Sequence, residues 1–187
     1  MQDGLDITIS EPALQIQEVF WVPPPVGWLK ANTYGSKSDD KAGYGFLLRD
    51  QFGHLVQAVA ARVEAKTINF LELQAIGQCV KAAMELGVNH LWVESDSKVA
   101  IHWVTCSDKV PWRVRRLCKS IWADCRTFIA MQLTHIHQEG NALADMLASW
   151  QSQMGCTKFL RTHVWPEFQA LMDRDINGSP FNREKLR

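Results

Sequence analysis

At 187 residues and 47% hydrophobic content, the chain suits a single domain with a sizeable core and room for terminal extensions. Twenty basic and twenty acidic side chains give a formal net charge of zero, which excludes capture of nucleic acid by a long-range field and leaves that role to a local patch. Five cysteines without a CxxC pair, an opening MQDGLDITIS without a basic-then-apolar pattern, and no apolar run near the roughly 18 residues of a membrane span exclude a disulfide-stapled secreted protein and a membrane protein, and predict a soluble intracellular one, cytoplasmic or nuclear.

Residues 1–27 read as an extension ending in a linker, because Pro23, Pro24 and Pro25 cannot donate ladder hydrogen bonds and favour an extended polyproline conformation. A short strand is predicted from Trp28 to Tyr34, then a polar loop over Ser36 to Lys41, a strand over Gly43 to Asp50, a turn at Gln51-Phe52-Gly53 and a strand over Leu55 to Val63. Such closely spaced strands form an antiparallel meander. After Thr67 the period changes: Leu73, Ile76, Val80 and Met84 share one helical face, and Gly87 ends the helix after Leu86. Leu91 to Val93 is an apolar strand, Lys98 to Thr105 a short helix, Val114 to Ile129 a long one, Met131 to His137 a strand, and Ala142 to Trp150 a helix with Asn141 as its cap.

This order predicts an α/β domain over 28–150: a mixed five-stranded sheet, three antiparallel strands followed by parallel ones, with helices on both faces. Residues 151–187 are expected to form an appendage with a helix around Val164 to Asp173 and a polar tail. The chain shows no internal repeat and no low-complexity tract.

Three carboxylates are candidates for chemistry. At 100° per residue, Glu72 shares a stripe with Ile76, Cys79 and Ala83, whereas Lys81 points the opposite way, so Glu72 lies on or beside the face that packs on the sheet. Asp96 follows an apolar strand and precedes a helix, at the carboxyl end where such sheets collect ligands, although Ser95, Asp96 and Ser97 are all able to cap that helix. Asp145 falls in the first turn of the last helix, where the helix dipole alone favours a carboxylate.

The strings around these residues are FLELQA, VESDS and HQEGNALAD, preceded by LKANTYG. Together they resemble the ribonuclease H domain, in particular the plant retroelement-derived ribonuclease H-like family, and WVPPPVGWLKAN is similar to the junction that precedes this domain in plant retroelement polyproteins. The resemblance implies that Glu72, Asp96 and Asp145 are catalytic metal ligands for two Mg²⁺ or Mn²⁺ ions that flank a phosphate in the RNA strand of an RNA:DNA hybrid. One ion activates the attacking water and the other stabilises the leaving oxygen, and at a separation of about 3.5–4 Å they need a bridging ligand. In the family that ligand is the Asp of a first-strand Thr-Asp-Gly, and here the string is Thr33-Tyr34-Gly35. A phenol with a pKa of about 10 is no bridging carboxylate at pH 7.

Three readings stay open on this basis. The chain is a hybrid ribonuclease impaired by Tyr34, a domesticated module that binds RNA:DNA hybrid or double-stranded RNA without turnover, or a domain kept for protein contacts. Asp39 or Asp40, in the following loop, is a candidate substitute ligand. His135, by the family's His-before-Glu-x-Asn pattern, is the candidate proton-transfer residue, with His137 as the alternative; Glu139 would orient the loop. For substrate contact the resemblance points to Asn32 and Asn69, where the family meets sugars and backbone. Arg113, Arg115, Arg116 and Lys119, beside Trp112, form the dense basic cluster that either meets phosphates or is a solvated helix face. Of the eight tryptophans, Trp92 and Trp150 read as core packing, while Trp103 and Trp112 are ambiguous between packing and stacking.

Overall fold

The computed structural model describes residues 15–39, 41–64, 66–106, 109–150, 155–159 and 164–185. Among the described residues, eight strands and five helices follow one another as β1 (Gln15–Val19), β2 (Leu29–Lys37), β3 (Ala42–Arg49), β4 (Leu55–Val63), α1 (Ile68–Glu85), β5 (His90–Ser95), α2 (Lys98–Thr105), α3 (Trp112–Cys125), β6 (Ala130–His135), α4 (Ala142–Ala148), β7 (Gly155–Phe159), α5 (Pro166–Ile176) and β8 (Phe181–Lys185). A 3₁₀ turn over Gln138–Asn141 leads into α4.

The main sheet has strand order β6-β5-β2-β3-β4-β7. The meander β2-β3-β4 is antiparallel, β5 runs parallel to β2, and β6 runs parallel to β5. All eight residues of β3 are buried, as expected of a strand covered on both faces. Helix α1 lies on one face over Ala31, Phe46, Leu48 and Val93, joined by α3 through Cys118 and Ile121. On the other face Leu143, Leu147, Phe168 and Met172, from α4 and α5, pack against Leu47, Ala58 and Ala60.

The expected element order is present, with three differences. Helix α1 ends as the sequence dictates: Gly87 adopts φ +69°, its N–H donates to Met84 O, and the N–H of Val88 donates to Ala83 O, which satisfies the last carbonyls. The sheet, however, has six strands rather than five, because β7 pairs antiparallel with β4, an edge that the pattern of residues 28–150 leaves open. The two extensions also meet, since β1 pairs antiparallel with β8, from Gln15 opposite Lys185 to Val19 opposite Phe181. Finally, α3 starts at Trp112 and stops at Cys125, because the chain turns through Thr127, whose hydroxyl donates to Asp124 O.

The tail is fastened by charge as well as by strand pairing. Asp175 of α5 accepts a hydrogen bond from Arg49 Nη1 at 2.5 Å, and both side chains are buried. Arg49 Nη2 donates to Asn32 Oδ1, which also accepts from Trp21 Nε1, and Asn32 Nδ2 donates to Glu94, whose other oxygen pairs with Lys30 at 2.9 Å. The Lys30 ammonium stands 3.9 Å from the centre of the Trp92 ring and the Arg49 guanidinium 3.7 Å from that of Trp21. Residues far apart in sequence thus close one buried polar network.

Candidate functional site

The site forms where the carboxyl ends of β2 and β5 meet the start of α1 and α4. Alternation along β2 places Lys30, Asn32 and Tyr34 on one face and Ala31, Thr33 and Gly35 on the other. Gly35 is required there: a Cβ would stand 2.6 Å from the backbone nitrogen of Glu72, so α1 reaches the strand only against a glycine. The same approach lets the Gly35 backbone hydrogen-bond the Glu72 carboxylate. Glu72 is 5% exposed, on the stripe shared with the fully buried Ile76, Cys79 and Ala83.

Tyr34, Glu72, Asp96 and Asp145 act on one another. Burial, then Asp96, and also Asp145 push the Glu72 carboxyl up to about 8, against the Gly35 bond. Asp96 is raised to about 6 by burial, opposed by its own backbone N–H and by Asn141, with Asp145 adding to the rise. The Tyr34 phenol is pushed up to about 12 by burial and by the negative charges of Asp145, Asp96 and Glu72. It is therefore a neutral hydroxyl among three carboxyl groups at pH 7.

Loop residues hold this arrangement. Asn141 Nδ2 donates to Thr33 O at 2.9 Å and to Asp96 Oδ1 at 3.4 Å. Asn141 is thus not the side-chain cap that its position suggests, because its amide ties the last loop to β2 and to Asp96. Gln138 Nε2 donates to the Tyr34 hydroxyl at 3.2 Å, and Ser149 Oγ donates to Asp145 Oδ1 at 3.2 Å.

His135 ends β6 in an exposed position and is held below its ordinary range by burial, His137 and Lys98, so it is neutral at pH 7. The His137 ring meets it edge-on at 5.2 Å and accepts from Arg183 Nη1 at 2.7 Å, with Glu139 3.7 Å from Arg183 Nε. Gln138, Ser149 and Arg183 were not singled out from the sequence: Gln138 sits inside the HQEGNALAD string without a role of its own there, Ser149 and Arg183 lie outside every quoted string, and Arg183 comes from β8, which pairs with β1.

The other candidates separate clearly. Asn32 is corrected: at 1% exposure, with its amide held by Trp21, Arg49 and Glu94, it has no surface to offer a nucleic acid. Asn69 stays half-exposed in the first turn of α1, and Arg113, Arg115, Arg116 and Lys119 are all exposed along α3 with Trp112, itself 76% exposed. Trp103 packs partly against the core, Trp92 donates to Thr134, and Trp150 stacks on Trp165 with ring centroids 4.2 Å apart. Asp39 is exposed in its loop, and Asp40 lies outside the described residues.

Hard carboxylate oxygens suit Mg²⁺, and the buried Oε2 of Glu72 lacks a hydrogen-bond partner, as a ligand atom would. Yet the β2 side chain that faces these carboxylates is the phenol of Tyr34, and among the described residues no three His, Cys, Asp or Glu side chains form a group that could hold a metal ion. The residues present do not fit a two-ion centre. Among the described residues, too, no helix is long and apolar enough to cross a membrane.

Residues 32–151 match the family described as reverse transcriptase-like. The Arabidopsis thaliana protein named "Putative ribonuclease H protein" is 28% identical over 178 residues, covering 92% of this chain, which spans only 28% of that protein's length. The crystal structure of RNase H1 from Halobacterium salinarum superposes with a TM-score of 0.61 at 22% identity, covering 65% of this chain and 94% of that one. LC11-RNase H1, solved in complex with RNA/DNA hybrid, gives 0.59 at 20% identity over 64% and 93%. At these identities the structures establish the fold, which is RNase H-like.

Proposed function

Because the chain belongs to the reverse transcriptase-like family, we propose that it is a retroelement-derived module that engages an RNA:DNA hybrid without cleaving it. One observation carries this reading: Tyr34 sets a neutral phenol among Glu72, Asp96 and Asp145, where a two-ion mechanism needs a bridging carboxylate. Without a carboxylate at that position, two divalent ions lose the ligand they would share, which makes the centre a poor host for the pair. The flanking carboxylates, the Asn141 tie and the neutral His135 then preserve the shape of the site.

Hybrid recognition does not depend on the missing ligand. A-form geometry and backbone are read by polar groups and cations, and Asn69 with Arg113, Arg115, Arg116 and Lys119 supplies both on the exposed surface. The complex of LC11-RNase H1 with hybrid supports this class of partner through the shared fold. The test is fluorescence anisotropy of a labelled hybrid at increasing salt, with the same samples run for cleavage in Mg²⁺. A logarithm of affinity that falls linearly with log salt, with no product above an Asp96→Asn control, is expected. Absence of binding at low salt, or cleavage above that control, overturns the proposal.

A further inference from the structure

A cavity of about 260 Å³ opens at the Tyr34 end of the sheet, on its α4 side. Its walls include Ser36, Ser38, Lys41, Arg62, Ser149 and Trp150, from β2, the β2–β3 loop, the end of β4 and the end of α4, and no acidic side chain is among its described lining residues. The residues that shape it are held in place. Ser38 N–H donates to Lys41 O at 2.8 Å, which closes the loop. A Cβ on Gly43 would stand 2.7 Å from Ala148 O, so the end of α4 settles onto β3 only over a glycine. Trp150 is a fixed wall between Trp165 and Phe159.

Two features say what this cavity takes. Lys41 and Arg62 make no ion pair among the described residues, although paired cations occur elsewhere in the sheet. The second feature is a hydroxyl chain: Ser149 donates to Asp145, so the 3.3 Å contact between Ser36 and Ser149 has Ser36 as its donor. Both protons turn toward the carboxylate, and the lone pairs of Ser36 are left for a donor from outside. A phosphate beside a sugar hydroxyl matches two cations that have no ion pair among the described residues, beside a free acceptor. The dipole at the end of α4 opposes an anion here, but it amounts to about half a charge against two full ones.

Building on the hybrid-binding reading, we infer that this cavity is a subsite for a sugar-phosphate of the RNA strand, with Lys41 and Arg62 on the phosphodiester and Ser36 on the 2′-hydroxyl. It adjoins the carboxylate cluster through Ser149 and lies on the opposite face of the sheet from α3, so it fixes the strand independently of the α3 cations. Both charges sit at the rim of the fold, and their removal leaves the core intact.

The experiment compares wild type, Lys41→Ala/Arg62→Ala and a Lys81→Ala control, each checked for an unchanged melting temperature, in anisotropy titrations against the hybrid at several salt concentrations. The double variant is expected to bind at least about tenfold more weakly, with a salt slope smaller by about two, and the control to match wild type. A single neutral methylphosphonate placed in turn along the RNA strand should weaken wild type at one position and leave the double variant indifferent there. Equal affinity and slope in wild type and the double variant overturn the subsite while hybrid binding stands; no binding by wild type at low salt removes the reading it rests on. Inorganic phosphate that perturbs Ser36 and Ser149 in NMR spectra but does not compete with hybrid also overturns it, because the cavity would then serve a free anion.

Discussion

Lys30, Asn32 and Tyr34 share one face of β2, yet the two ends of that strand sit in opposite electrostatic regimes. Around Lys30 and Asn32, Glu94, Arg49 and Asp175 are buried together, and oppositely charged neighbours oppose the effect of burial: Lys30 and Arg49 are lowered and Glu94 and Asp175 raised by desolvation, with the ion-pair partner pulling each back. Around Tyr34 the neighbours reinforce burial, since Asp96 and Asp145 push Glu72 further up. The first region is charge-balanced and holds the extensions on the domain. The second is a cluster of acidic groups with no cation among the described residues that raise or lower it, an arrangement that folding alone does not call for.

Breaking the balanced end should have the largest effect on stability. Asp175→Ala leaves the Arg49 guanidinium buried and unpaired, and urea denaturation should show a loss of about 3–5 kcal/mol. A loss below about 1 kcal/mol would mean that α5 and the tail separate from the sheet without penalty, and that the two ends of β2 are less different than described.

The unbalanced end should reveal itself through pH. A carboxyl raised to about 8 in the folded state holds a proton that the unfolded chain releases near 4.5, so its contribution is complete below about pH 4.5 and is lost as pH climbs toward 8. Asp96, raised to about 6, acts in the same direction at the lower end of that window. Stability of the wild type should therefore decline from about pH 5 to 8, by up to roughly 1.4 kcal/mol per pH unit, and Glu72→Gln should flatten the profile and be the more stable protein at pH 8. Parallel profiles for the two proteins would show that Glu72 titrates normally.

The smallest effect belongs to the phenol's hydroxyl. Tyr34→Phe removes one bond, from Gln138, at a half-exposed position, and its stability should change by less than about 1 kcal/mol with hybrid affinity unchanged. A larger loss would make Tyr34 a structural anchor rather than a replaced ligand.

This contrast also marks what the sequence discloses. Period and turn signals placed β2 to β4, α1 with its Gly87 stop, β5, α2 and β6, because these depend on local apolar spacing and glycine conformation. The helical stripe likewise placed Glu72 against the sheet. Long-range charge pairing left no local trace. The family resemblance offers Asn32 to a substrate, whereas its burial follows from Trp21, Arg49 and Glu94, up to 62 residues away. Strands β1, β7 and β8 were illegible for the same reason, since each is a short segment that becomes a strand only through an edge supplied by distant sequence. At the site, Gln138 and Ser149 act through side-chain hydrogen bonds to partners on other elements or one turn away, which their place in the sequence does not announce.

On the proposed reading, Tyr34 keeps this site from acting as a two-ion hydrolytic centre. Tyr34→Asp restores a carboxylate on β2 among Glu72, Asp96 and Asp145, and the most direct measurement is Mg²⁺-dependent cleavage of an RNA:DNA hybrid by that variant beside wild type and Tyr34→Asp/Asp96→Asn. Cleavage by Tyr34→Asp, with none by wild type or by the double variant, is the predicted result. Wild-type cleavage matching that of Tyr34→Asp and abolished by Asp96→Asn would contradict the account, because the phenol would then be no obstacle to the chemistry.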